Sequence, residues 1–183
     1  MILSVFAYAL VFGLWYAVGF VLLIFVHEMG HFLAARQRGL AVGAPTFIPF
    51  VGAWIELKEM PHDVETEAWV GLAGPLLGTI GALACYYAYR ATNEPLLLAL
   101  AYAGFFLNLV NLIPIGILDG GAIWRAYRLA KAEPMVPLQA DGAAVLLPGA
   151  GRSRATLILT LYLGLALLLV LGMWGTHVPQ HRL

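Results

Sequence analysis

The chain has 183 residues, 62% of them hydrophobic and 11% charged, with a formal net charge of zero. Soluble domains carry about 45–50% apolar and about 25% charged residues, so composition excludes an ordinary soluble globular protein. One membrane domain, residues 1–183, is expected, and the neutral charge balance gives no basis for nucleic-acid binding.

The first apolar segment, about residues 4–35, carries no charge before His27. It is too long, and lacks the basic start, of a cleavable signal peptide, so it is expected to stay in place. A straight helix from Ile2 to Ala35 would be about 50 Å long, against a hydrocarbon core of about 30 Å. The segment is therefore expected to tilt, to bend near Gly13 or Gly19, or to protrude. Arg36, Arg38 and Gly39 close it.

Near its end stands His27-Glu28-Met29-Gly30-His31. Histidines four apart share one helix face, with Cβ atoms about 5–6 Å apart, so two imidazoles can reach one metal ion. Glu28 points to the neighbouring sector and can handle a proton. The bland alternative is a chance pattern of core histidines. The cost of burying Glu28 in an apolar run without a partner argues against it. Counting back from the basic end, His31 lies about 8 Å and His27 about 13 Å inside the membrane boundary.

Residues 41–60 differ in kind. Gly43, Pro45, Pro49 and Gly52 forbid a regular helix, while Trp54, Glu56 and Lys58 alternate with Ile55 and Leu57 at the period of a strand. A short membrane-associated β-hairpin or re-entrant piece beside the motif is expected, with an ordinary interfacial loop as the alternative. Glu65 and Glu67 suit the first turn of the next helix.

A second span is expected over about 68–90. Gly71, Gly74, Gly78 and Ala82 form a small-residue stripe, with Gly74-x-x-x-Gly78 at the spacing that lets helix backbones approach. This is read as architecture, with a local distortion at Pro75. The lone cysteine, Cys85, is read as packing, with soft metal ligation as the alternative.

The third span, about 95–124, contains Asn108, Asn111, Pro114, Gly116, Asp119, Gly120 and Gly121. A helix broken or loosened within the bilayer is expected, its freed carbonyls and asparagines facing a polar site. Apart from Glu28, Asp119 is the only acid with apolar neighbours on both sides well inside an apolar segment. With helical rise from Arg125 it lies about 9 Å inside the basic boundary, matching the histidines. Capping of the following helix is its alternative role and is compatible with ligation. Residues 133–154 read as a loop, and about 155–175 as a uniformly apolar fourth span. His177 and His181 flank Pro179 in a short tail and are not read as a site.

Two histidines leave a tetrahedral zinc short of one protein ligand and a water, and Asp119 supplies the carboxylate. Glu56 or Glu59 is the competing third ligand. Zinc would activate the water and polarise a carbonyl, with Glu28 as the base that carries the proton to the leaving amine. Asn108 or Asn111 would donate to the developing oxyanion or hold substrate backbone, with interhelical hydrogen bonding as the alternative.

These residues resemble the site-2 protease family of intramembrane zinc metalloproteases. The resemblance rests on His27-Glu28-Met29-Gly30-His31, on Asn111-x-x-Pro114-x-x-x-Leu118-Asp119-Gly120 and on Gly74-Pro75, and covers most of residues 20–130. It implies one zinc held by His27, His31 and Asp119, with Glu28 as general base and the strand-like piece near the cleft. One departure is Gly78, where many members carry Asn after Gly-Pro.

The expectation is thus an all-α polytopic membrane protein with about four transmembrane helices. It would act as a zinc endopeptidase on a transmembrane protein or peptide within the lipid bilayer. The substrate backbone is expected to add as a strand to the 44–58 edge, because a helical scissile bond is shielded. Rival readings are an inactive substrate-binding protein of the same fold and a metal transporter, which would want ligands spaced along a path.

Charge sets the topology. Arg36, Arg38, Lys58, Arg125, Arg128, Lys131, Arg152 and Arg154 fall on the side reached by the ends of spans one and three, and only Arg90 and Arg182 fall opposite. The basic side is expected in the cytoplasm, with both termini outside and the active site toward the cytoplasmic half. Cysteine-accessibility labelling should find positions near Arg38 and Arg152 in the cytoplasm and the tail near His181 outside. A cytoplasmic tail would mean an odd number of crossings.

Overall fold

The computed structural model describes residues 1–44, 46–49, 52–54, 58, 63–132, 138–140, 143–145 and 150–177. Six helices run in chain order: α1 (Ile2–Phe12), α2 (Leu14–Gln37), α3 (Val64–Thr92), α4 (Pro95–Asn111), α5 (Asp119–Ala132) and α6 (Ala150–His177). Four short strands accompany them: β1 (Thr46–Ile48), β2 (Gly52–Trp54), β3 (Leu138–Ala140) and β4 (Ala143–Val145).

The long first segment divides at Gly13, whose φ of 86° and ψ of 154° suit a residue without a Cβ. The rings of Tyr8 and Phe20 meet edge to face at 5.2 Å. Twelve residues of straight helix would set them about 18 Å apart along the axis, so α1 folds back on α2. Of the three expected ways to shorten this segment, the bend at Gly13 is the one found.

Three helices, α2, α3 and α6 (from Arg154), are long and apolar enough to cross a bilayer, whereas α1 and α4 are shorter apolar helices. The expected span over 95–124 is two helices. Pro114 and Gly116 end α4 and open a seven-residue turn before Asp119 begins α5. α6 begins earlier than the expected fourth span, at Ala150.

β1 and β2 pair antiparallel with Phe47 opposite Ala53. Much of the expected 41–60 alternation, including Glu56 and Glu59, lies outside the described residues. The 133–154 stretch, read as loop, holds the antiparallel pair β3–β4, with Gln139 opposite Ala144. His181 also lies outside the described residues.

Helix α3 is the central element and contacts α2, α4, α5 and α6. Its core residues Leu72 and Ala82 join Ala101 and Phe105 of α4, Ile123 and Ala126 of α5, and Leu165 and Leu169 of α6. Large side chains such as Leu157, Leu161, Leu167, Leu171 and Trp174 stay exposed on α6, as expected of a lipid-facing surface. At the basic end, Arg125 Nε donates to Glu67 at 2.5 Å and Arg154 Nε pairs with Glu65 at 2.8 Å. These pairs tie α5 and α6 to the first turn of α3.

That turn opens on Asp63, whose carboxylate accepts the Thr66 N–H and the Thr66 hydroxyl, both at 2.8 Å. Accepting the Thr66 N–H holds the Asp63 carboxyl below the ordinary carboxylate range. A depressed folded value makes the stabilisation full above the unfolded value of about 3.9 and lost as pH falls through the folded one. Asp63→Ala should therefore cost about 1 kcal/mol at neutral pH. Thermal unfolding in detergent checks this, and the gap from wild type should close in acid.

Candidate metal centre

His27 and His31 project from one face of α2, and Asp119 opens α5 opposite them. The Nε2 atoms of the two histidines are 3.2 Å apart. His27 Nε2 lies 3.1 Å from Asp119 Oδ2, and His31 Nε2 lies 3.1 Å from Asp119 Oδ1. Three side chains from two helices thus converge, each imidazole facing a different oxygen of the one carboxylate. Glu28, 7% exposed, lies on the same helix within electrostatic range of all three.

The hydrogen bonds behind the rings decide what the cluster presents. His31 Nδ1 lies 2.7 Å from the Val70 carbonyl oxygen, which can only accept, so Nδ1 carries the proton. His27 Nδ1 lies 2.8 Å from Asn108 Oδ1, while Asn108 Nδ2 donates to the Gly104 carbonyl at 2.7 Å. The second bond orients the amide, so Asn108 Oδ1 accepts from His27 as well. With a proton held at each Nδ1, the neutral form of each ring turns a bare Nε2 lone pair toward the carboxylate. Consistently, Asp119 Oδ2 is buried without a hydrogen-bond donor.

Three acceptors facing one another at this distance repel unless a cation lies among them. The donor set, two imidazoles and one carboxylate, is the kind that holds a catalytic zinc. Bonds of about 2.0–2.1 Å to a tetrahedral centre imply ligand–ligand edges of about 3.3 Å. The two Nε2 atoms, 3.2 Å apart, are near that spacing, and each has a carboxylate oxygen of Asp119 at 3.1 Å.

Small residues make the convergence possible. A Cβ at Gly30 would strike the Ala73 carbonyl, one at Gly74 the His31 imidazole, and one at Gly78 the amide of Asn108. The sequence reading gave Gly74 and Gly78 an architectural role alone, yet both border the side chains of the site. Asp119 depends on a further close approach. Cβ atoms at Gly120 and Gly121 would collide with the carbonyls of Leu112 and Ile115, so α5 starts against the end of α4. From α6, the Tyr162 hydroxyl donates to the Leu112 carbonyl at 2.6 Å and holds that end of the turn.

Of the two asparagines expected near the chemistry, Asn108 reaches His27, whereas Asn111 is the half-buried last residue of α4. The competing ligands Glu56 and Glu59 fall outside the described residues. The β1–β2 pair lies beside the motif, with the Phe47 ring 6.2 Å from that of Phe25 on α2. The backbone acceptor of His31, Val70, was missed, because no side-chain pattern marks a carbonyl.

A helical membrane fold with a buried two-histidine, one-carboxylate centre defines the class of protein. The chain belongs to peptidase family M50, the site-2 protease family, whose profile matches residues 15–94 and 87–147. It is 31% identical over 127 residues to the zinc metalloprotease MJ0392 of Methanocaldococcus jannaschii, covering 65% of this chain and 37% of that protein. Rip3 of Mycobacterium tuberculosis, also named for zinc metalloprotease activity, is 29% identical over 160 residues, covering 83% of this chain and 39% of its own. EGY1 of Arabidopsis thaliana, named as a chloroplast zinc metalloprotease, is 26% identical over 153 residues, covering 57% and 28%. The chain thus spans well under half the length of the curated relatives it matches.

The contact between Gly74 and His31 can be tested directly. Gly74→Ala should weaken zinc binding about tenfold or more, read by competition with a chromophoric chelator. Gly164→Ala, whose added Cβ would meet nothing within 4 Å, should leave it unchanged.

Proposed function

We propose that this chain is an intramembrane zinc endopeptidase domain, with His27, His31 and Asp119 holding one zinc and Glu28 acting as general base. The observation that carries the reading is the convergence of His27, His31 and Asp119, with facing atoms 3.1–3.2 Å apart, beside a buried glutamate. Membership of family M50 and the names of the relatives support it.

Bound zinc would supply Lewis acidity, polarising the scissile carbonyl and acidifying a water. Glu28 takes the proton from the attacking water and returns it to the leaving amine. The glutamate shares α2 with both histidines but follows His27 by one residue, so it sits beside the metal position without being spent as a ligand. Asp119 and the two rings fix the place of the reaction, and the surrounding helices limit bulk water. The substrate is a transmembrane protein or peptide in the lipid bilayer. Its unwound backbone adds as a strand to the β1–β2 pair, which lies against α2 next to the motif. Helix α4 with the turn after it makes a fourth crossing, and the basic ends of α2 and α5 set the site in the cytoplasmic half.

Glu28→Gln keeps size and hydrogen bonding while removing the base. The variant should hold about one zinc per chain and still capture a single-span substrate, with turnover lowered at least about 10²-fold. Near-normal cleavage with zinc bound would sink the role of Glu28. Wild type that binds such proteins without cutting them would make the chain a binding module.

A further inference from the structure

We propose that Asn108 is a positioning residue for His27, seated in the space that Gly78 leaves open, and that it sets which ring nitrogen faces the metal position. The inference rests on the zinc-site reading above.

Asn108 is 1% exposed, and both ends of its amide are engaged. Nδ2 donates to the Gly104 carbonyl at 2.7 Å, and Oδ1 accepts from His27 Nδ1 at 2.8 Å. The amide therefore lies behind the ring, at the nitrogen remote from Asp119. From there it cannot reach a substrate carbonyl at the metal position, which removes the oxyanion role expected for it. What it does control is the tautomer. Without an acceptor at Nδ1, the proton of His27 moves to Nε2, where Asp119 Oδ2 lies 3.1 Å away and accepts it. The cluster then closes on a hydrogen bond and competes with the cation.

Gly78 is the other half of the device. A Cβ there would strike Asn108 Oδ1, and at Gly104 one would meet Ala82 Cβ at 2.9 Å. Helices α3 and α4 are close enough here that the amide fits only against glycine. His31 needs no such arrangement, because its Nδ1 is held by the Val70 backbone. Asn108 is thus the side chain through which α4 acts on the metal centre.

The test uses the full chain, purified in detergent, with zinc dissociation read by chelator competition and the His27 tautomer read by nitrogen NMR of metal-free protein. Asn108→Leu should weaken zinc binding about 10–100-fold and move the His27 proton to Nε2. Asn108→Asp keeps the acceptor and should bind zinc within about threefold of wild type, with the proton on Nδ1. Gly78→Ala should reproduce the loss, and the double variant Gly78→Ala/Asn108→Leu should be no weaker than either single one. If Asn108→Leu does not fold, Gly78→Ala carries the expected loss and Asn108→Asp the expected retention. Unchanged zinc affinity and tautomer in Asn108→Leu would overturn the positioning role and leave the metal site standing. An Asn108→Asp variant as weak as Asn108→Leu would also overturn it, leaving a packing role. Wild type that binds no zinc would overturn the metal reading and the metal half of this inference together.

Discussion

Three lone pairs pointed at one another inside an apolar bundle repel, and the arrangement of every nearby helix serves to keep them there. His27, His31 and Asp119 come within 3.1–3.2 Å, His27 buried and the other two partly buried. Each is braced from behind: His27 by an amide from α4, His31 by a carbonyl of α3, and Asp119 by the turn that links α4 to α5. Bracing of this kind fixes ring orientation and raises ligand basicity, so the affinity of the proposed site for a metal would be a property of four helices.

Such bracing needs backbones closer than ordinary side chains permit. In a bilayer the hydrophobic effect does little to join helices, and small residues do that work through tight packing. Gly30 and Gly74 bring α2 against α3, and Gly78 with Gly104 brings α3 against α4. The interruption at 112–118 is held at its two ends, while residues 113–117 between them are exposed. Gly120 and Gly121 press against the carbonyls of Leu112 and Ile115, and Tyr162 of α6 donates to Leu112.

The convergence of His27, His31 and Asp119 was legible because spacing and cost both mark it. Histidines four apart must share a helix face, and an acid in an apolar run needs a reason to be there. The break after Asn111 was also legible, from Pro114 and the glycines around it. Its consequence for the span count was not: residues counted as helix are spent in the turn, leaving α4 at 17 residues. The bend at Gly13 stood among three possibilities, because a glycine inside a helix is tolerated as often as it breaks one. The role of Asn108 was hidden for another reason. A buried amide announces that it has partners, and only the packing of α3 on α4 says which. Strands β3 and β4 carried no alternation that would separate them from loop.

The two histidines differ in how they are held, and the difference lies in helix α3. Any residue at position 70 offers His31 the same carbonyl, so no side-chain change there can release the ring. What can release it is the helix itself. Pro75 has no N–H to give the Gly71 carbonyl, and its ring crowds that turn of a 29-residue helix. His31 is thereby coupled to a backbone weak point and His27 to a rigid amide. A fluctuation that opens α3 at Pro75 would therefore reach His31 through its own hydrogen bond, whereas it would reach His27 only by way of Gly78 and the Asn108 amide.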